Sequence, residues 1–154
     1  MRLYSSRVSE PYRALRCLIN QILTQVMLRG KKKTAPYLKQ LLPSWYAALR
    51  DPATECSKAA EAAFAAAFAD EQKRKNALLF AHDAILAAYT ETVAHATKEA
   101  FLADAKGMQS DEATEKYSWT VYTTLSALRA LLSTSSYNAF FFFRDSLCSC
   151  SHCE

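Results

Sequence analysis

Glycine is nearly absent from this sequence, with two residues in 154, and proline occurs only four times. Both residue types favour tight turns, and their scarcity favours helix over strand throughout the chain. It also excludes the glycine-rich loops that bind nucleotide phosphates. The abundant residues, Ala, Leu, Lys and Glu, lose little rotamer freedom in a helix. We therefore predict an all-α fold.

The sequence also lacks a long apolar run. No stretch approaches the roughly 18 residues that a membrane-spanning helix needs, and the first residues lack the hydrophobic core of a secretory signal. We expect a cytosolic protein that makes no membrane contact.

Catalytic motifs are missing as well: the sequence has no nucleophile elbow, His-Glu-x-x-His motif or paired-carboxylate pattern. His82 and Asp83 are neighbours, but successive residues of a helix point about 100° apart, so we do not expect them to form an acid–base pair. We predict no catalytic residue and no small-molecule substrate.

Metal binding is considered only for the last residues, where Cys148, Cys150, His152 and Cys153 lie close together. A structural zinc site usually takes two separated ligand pairs, and a second pair is missing here. We therefore expect no metal ligand and no cofactor in this chain.

Apolar residues recur three and four positions apart in five segments, which is the pattern of amphipathic helices. The segments begin near residues 10, 34, 52, 72 and 110, and the fourth is predicted to continue toward residue 102. The predicted buried face of the first helix comprises Tyr12, Leu15, Ile19, Ile22 and Val26, and it is widened by Leu18, Leu23 and Met27. That of the fifth comprises Tyr117, Val121, Leu125, Leu128 and Leu132.

Local signals predict how these helices begin and end. Gly30 is expected to end the first helix in the left-handed conformation, and Thr34 to cap the second. Pro43 is expected to kink or break the second helix, because it removes a backbone hydrogen bond. Asp51 is expected to cap the third helix, with Pro52 in its first turn.

Successive helices joined by short turns fit either a compact bundle or stacked antiparallel pairs. The second and fourth helices begin about 38 residues apart, close to the period of HEAT and armadillo repeats. We favour the stacked arrangement, a HEAT/armadillo-like solenoid fragment of about five helices. The predicted boundaries are a disordered start at 1–8, a helical-repeat domain at 9–133, and a disordered or artefactual tail at 134–154.

Basic residues cluster where the first two helices meet. The net charge is a mild +4, but Arg29, Lys31, Lys32, Lys33 and Lys39 lie within eleven positions of one another. One interpretation is a solvated turn that complements the C-terminal end of the first helix. The other is a contact with an anion or with RNA, driven by phosphate neutralisation and therefore sensitive to salt. These five residues are the candidate site.

Several ordered blocks of the sequence resemble the N-terminal helical repeats of the listerin family, RING-type ubiquitin-protein ligases of ribosome-associated quality control. The blocks are residues 32–39, Trp45, Asp51-Pro52, residues 57–60 with Phe64 and Phe68, residues 80–86, residues 115–117 and residues 125–132. The resemblance extends from about residue 8 to residue 133.

The resemblance implies a HEAT and armadillo solenoid that docks on the stalled large ribosomal subunit, with ribosomal RNA and a quality-control partner protein nearby. It implies ubiquitin transfer by a distant zinc-binding RING domain, to which nothing in this sequence corresponds. We therefore expect an N-terminal piece of a longer ligase, or a truncated gene model, that is not catalytic by itself. The alternative is a non-catalytic helical-repeat adaptor that binds a protein partner through an apolar groove.

Overall fold

The structure, a computed structural model, describes residues 2–95, 97, 99 and 110–148, and only the backbone of residues 2, 6 and 134–148. In chain order its elements are α1 (Arg2–Arg7), α2 (Arg13–Gly30), a 3-10 helix (Lys31–Tyr37), α3 (Leu38–Ala48), α4 (Thr54–Ala67), α5 (Glu71–Phe80), α6 (His82–His95) and α7 (Ser110–Cys148). No strand occurs among the described residues. The predicted all-α fold is confirmed, and its packed helices are those of a helical-repeat fragment.

Helix α1 occupies the segment where the sequence predicts disorder. Tyr4 and Val8 are buried, and the Tyr4 hydroxyl donates a hydrogen bond to Asn20 Oδ1 of α2 at 2.8 Å. Burial also raises the pKa of the Tyr4 hydroxyl well above its ordinary value, so this donor keeps its proton. At the other end α7 continues to Cys148, past the predicted boundary at 133. The domain boundaries themselves stay predictions.

The core forms where α2 packs on α4 and where α3 packs on α6 and α7. Trp45 of α3 lies at its centre with no exposed surface. Its indole N–H donates to the Ala60 carbonyl at 3.1 Å, and its ring meets Phe64 edge-on at 5.1 Å between centroids. Because Ala60 and Ala63 are small and fully buried, α4 can lie close to its neighbours.

The predicted buried face of α2 is partly right: Leu23 and Met27 are buried as predicted, and Ile19 packs against the core. Tyr12, Ile22 and Val26 are exposed, while Arg16 and Asn20 are buried together with Leu23 and Met27. The buried face of the fifth predicted helix, α7, also differs from the prediction. Leu125 and Leu132 are exposed, and the buried positions include Trp119, Thr123, Ala127 and Leu131. In both helices the buried face carries polar side chains that an apolar pattern does not count.

The interruption predicted at Pro43 is absent, and an interruption that was not predicted divides the fourth helix. Helix α3 runs without a break through Pro43, whose carbonyl accepts a hydrogen bond from the Tyr89 hydroxyl at 2.7 Å. The fourth predicted helix is instead divided at the buried Ala81 into α5 and α6.

Asp51 is the polar centre of the fold rather than the cap of α4. The N-cap residue of α4 is Ala53, whose N–H donates to Asp51 Oδ1 at 2.8 Å. Arg16 Nε lies 2.8 Å from Asp51 Oδ2, and the Trp119 indole N–H donates to the same oxygen at 2.9 Å. One carboxylate therefore links α2, the start of α4 and α7.

None of the helices within the described ranges is both long and apolar enough to cross a membrane.

Candidate anion-binding surface

The five predicted basic residues lie along one corner of the fold. Arg29 is in the last turn of α2, the three consecutive lysines are in the 3-10 helix, and Lys39 is in the first turn of α3. All five are exposed. We call this set, Arg29, Lys31, Lys32, Lys33 and Lys39, the basic turn.

The backbone of the basic turn differs from the prediction at its first residue. Gly30 keeps a right-handed helical conformation (φ −76°, ψ −32°), and it is Lys31 that has a positive φ of 44°. Gly30 is needed for space instead, because a Cβ there would lie 2.6 Å from Thr34 Cγ2. Thr34 is buried rather than capping α3, and its hydroxyl donates to the Lys31 carbonyl at 2.7 Å.

A lysine at positive φ and negative ψ is strained, because only glycine adopts that region easily. Replacing Lys31 by Gly should therefore raise the free energy of unfolding by roughly 0.5 to 1 kcal/mol, the relief of strain exceeding the extra entropy of the unfolded chain. Urea unfolding at constant slope measures the change.

Lys32→Gly is the matched control for this prediction, since it removes the same charge from a residue with ordinary backbone angles. It should lower stability by about 0.5 to 1 kcal/mol. Equal losses in both variants would show that Lys31 is not strained.

The charges of the basic turn are not neutralised within the part of the chain that the structure describes. None of the five has a carboxylate within 4 Å. The only partner is aromatic: Lys39 Nζ lies 4.9 Å from the centroid of the Phe80 ring, a cation–π contact. The surface therefore keeps its positive potential.

The basic residues at the start of α5 behave differently. Lys73 Nζ lies 2.9 Å from Asp70 and Lys75 Nζ lies 2.8 Å from Glu71. Asp70 also caps α5 by accepting the Lys73 N–H, and this hydrogen bond is the main reason that its pKa is lowered. These lysines complete local ion pairs and do not extend the basic turn.

Exposed aromatic residues are the feature of this surface that the sequence analysis missed. Tyr37 is 50% exposed at the end of the 3-10 helix, and Phe80 is 58% exposed at the end of α5. Tyr37 could have been noticed because it lies only four positions after Lys33. Phe80 could not, because only the fold brings it to Lys39. Basic groups combined with exposed rings are typical of surfaces that bind single-stranded nucleic acid.

His82 and Asp83 do approach each other, contrary to expectation, with 3.4 Å between Nδ1 and Oδ1. The Asp83 side chain is completely exposed, so the pair has none of the shielding that a buried acid–base pair has. Over the described ranges, no group of three or more His, Cys, Asp or Glu is placed to hold a metal ion. The zinc interpretation of the tail concerns residues whose side chains lie outside those ranges.

Comparison with known families decides what kind of chain carries this surface. The family model described as "E3 ubiquitin-protein ligase listerin, N-terminal domain" matches residues 1–146. This chain belongs to the listerin family.

Two relatives agree with the listerin match. E3 ubiquitin-protein ligase listerin of Gallus gallus is 31% identical over 132 residues, which are 86% of this chain and 7% of the relative. The listerin of Xenopus tropicalis is 30% identical over 131 residues, 85% of this chain and 8% of the relative. The chain thus spans less than a tenth of the length of either listerin. No solved structure matches it.

Proposed function

We propose that this chain is the N-terminal helical-repeat portion of a listerin-like ubiquitin-protein ligase, and that it docks in the cytosol on stalled large ribosomal subunits. In this proposal the basic turn contacts ribosomal RNA phosphates, and a quality-control partner protein binds nearby. Ubiquitin transfer is assigned to a RING domain outside these 154 residues, so the chain acts as the docking portion.

The observation that carries the proposal is the contrast between two groups of lysines. Lys31, Lys32 and Lys33 have no carboxylate partner among the described residues, whereas Lys73 and Lys75 each have one. Unneutralised cations gain free energy by releasing the counterions of a phosphate backbone. The strained backbone at Lys31 gives further support, because such strain is common at functional sites.

The test is co-sedimentation of the full chain with purified large ribosomal subunits over a salt series. Binding should weaken steeply with salt. The triple variant Lys31→Ala, Lys32→Ala, Lys33→Ala should bind more weakly at every salt concentration. The slope of log K against log salt should flatten by about 2 to 3 units, since each lost phosphate contact removes roughly 0.7 to 0.9.

A matched control separates the basic turn from general charge. Lys58→Ala, Lys73→Ala, Lys75→Ala removes the same three positive charges from other exposed positions and should leave the slope nearly unchanged. If the two triple variants weaken binding equally, binding depends on the net charge of the chain and not on the basic turn in particular. If wild type fails to sediment while its circular dichroism shows folded helix, docking by this chain is refuted.

A second candidate function, an adaptor for a protein partner, is favoured by the exposed apolar stripe of α2. Leu18, Ile22 and Val26 are 50%, 52% and 40% exposed and lie one turn apart. A contact through this stripe would be nearly indifferent to salt and would survive the lysine replacements. Ile22→Asp would abolish it, whereas binding through the basic turn would persist.

A further inference from the structure

A cavity of about 440 Å³ lies between α1, α3, α6 and α7, away from the basic turn. Its volume is within the range of small-molecule sites, roughly 300 to 1,000 Å³. The walls include the apolar side chains of Val8, Pro43 and Ala47 and the ring of Trp119. The cavity is therefore large enough, and apolar enough on one side, to bury a small organic group.

The polar groups in this cavity divide into two sets. Thr92, Thr120 and Thr123 follow the ordinary pattern of helical threonines, and each hydroxyl donates to the carbonyl four residues earlier at 2.8 Å. These hydroxyls are already satisfied. They form part of the wall and offer a ligand little.

The second set consists of four hydroxyls that are open to the cavity. The hydroxyls of Ser5, Ser9, Ser44 and Thr124 line the cavity without a hydrogen bond to another described residue. None of the described residues has a buried side-chain nitrogen or oxygen without a hydrogen-bond partner, so these hydroxyls are within reach of water. A ligand that replaces this water therefore gains little free energy from them.

The charge of the cavity lining indicates which class of ligand would fit. Of the described residues that line the cavity, only Lys116 is charged at neutral pH, and no carboxylate of a described residue lies within 4 Å of its ammonium. A single cation balances a monoanion. A phosphate monoester, with about 1.5 to 2 negative charges, would leave charge uncompensated.

We propose that this cavity binds a carboxylate attached to an apolar group, with Lys116 holding the carboxylate. The apolar group lies against Trp119 and Val8. Two sources share this chemistry, a free organic acid and the C-terminal carboxylate of a peptide that ends in an apolar residue. The site binds its ligand without transforming it.

The two tryptophans of the chain make a direct test available by nitrogen–proton NMR of the full chain. Trp119 lines the cavity, whereas Trp45 is fully buried in the core. Titration with phenylpropionate should shift the Trp119 indole signal saturably and leave that of Trp45 in place. If the cavity admits the end of a peptide chain, a short peptide ending in a leucine carboxylate should shift the Trp119 signal in the same way. If phenylpropionate shifts the signal and the peptide does not, the ligands are free acids.

Variants and uncharged probes identify the groups that bind. Lys116→Gln should weaken binding about tenfold or more, in line with the loss of a charged hydrogen bond. Lys58→Gln, a lysine outside the cavity, should change nothing. Phenylpropionamide and the amidated peptide carry no carboxylate. Their affinity for the unchanged chain should be no higher than the affinity of the acids for the Lys116→Gln variant.

Three results would overturn the proposal. They are no Trp119 shift with either acid at millimolar concentration in a folded sample, equal shifts with acid and amide, or equal shifts at both tryptophans. Because the basic turn takes no part in this test, its outcome is independent of ribosome docking.

Discussion

Replacing Asp51 by Ala should lower the free energy of unfolding by about 3 to 5 kcal/mol, the cost of breaking a buried ion pair by removing one partner. The side chains of Arg16 and Asp51 are only 7% and 1% exposed, so water cannot take the place of the carboxylate. The Trp119 indole N–H and the Ala53 N–H would lose the same acceptor. Chemical denaturation followed by circular dichroism measures the loss.

Asp83→Ala is the control for the Asp51 prediction. Its carboxylate is fully exposed and lies 3.4 Å from His82, so the change in stability should stay within about 0.5 kcal/mol. A similar loss in both variants would mean that burial of Asp51 contributes nothing.

A double variant separates the ion pair from the other contacts of Asp51. Arg16→Met combined with Asp51→Leu removes both charges, and replacing both members of a buried pair by apolar residues is often far less costly than removing one. The double variant should therefore lose less stability than the sum of its single replacements. Strict additivity would show that the two side chains are not coupled.

Trp45→Ala should lower the free energy of unfolding by a similar amount, about 3 to 5 kcal/mol. The indole has no exposed surface and fills the space between α3 and α4, where it meets Phe64 and Phe68. Removing it leaves a cavity that closely packed helices cannot close. The Ala60 carbonyl also loses a hydrogen bond, although the helix backbone still supplies one.

Trp45→Phe distinguishes packing from hydrogen bonding. It keeps most of the apolar surface and removes the indole N–H, so it should cost clearly less than Trp45→Ala. Leu79→Ala, at a position 52% exposed, should be nearly neutral. A loss below about 1 kcal/mol for Trp45→Ala would contradict its position in the core.

The sequence was sufficient to predict that helices form, and approximately where. The first predicted helix, which begins near residue 10, is observed as Arg13–Gly30, and the third, which begins near residue 52, as Thr54–Ala67. These predictions rest on local signals, namely apolar spacing, a scarcity of helix breakers and residues suited to helix ends. The exposure of the basic turn was equally predictable, because consecutive lysines are rarely buried.

The buried faces of α2 and α7 were only partly predictable, because they depend on partners distant in sequence. Arg16 and Asn20 are buried because Asp51 and Tyr4 satisfy them, and no local pattern reveals that pairing. Because only apolar residues were counted, the predicted buried face of α2 included the exposed Ile22 and Val26 and omitted the buried Arg16 and Asn20. The cavity was missed for the same reason, since its lining comes from four separate helices.

The contacts of Asp51 also imply an order in which the fold is completed during synthesis. The bond from Arg16 closes a loop of 35 residues, whereas the bond from Trp119 closes one of 68. A growing chain can form the shorter loop as soon as α4 has emerged, and domains generally fold from the N-terminus onward. Until α7 follows, the carboxylate lacks its third helix and the cavity lacks a wall. We therefore expect a partly packed intermediate in which Asp51 already accepts from Arg16 and Ala53 and gains the Trp119 indole N–H only when α7 packs.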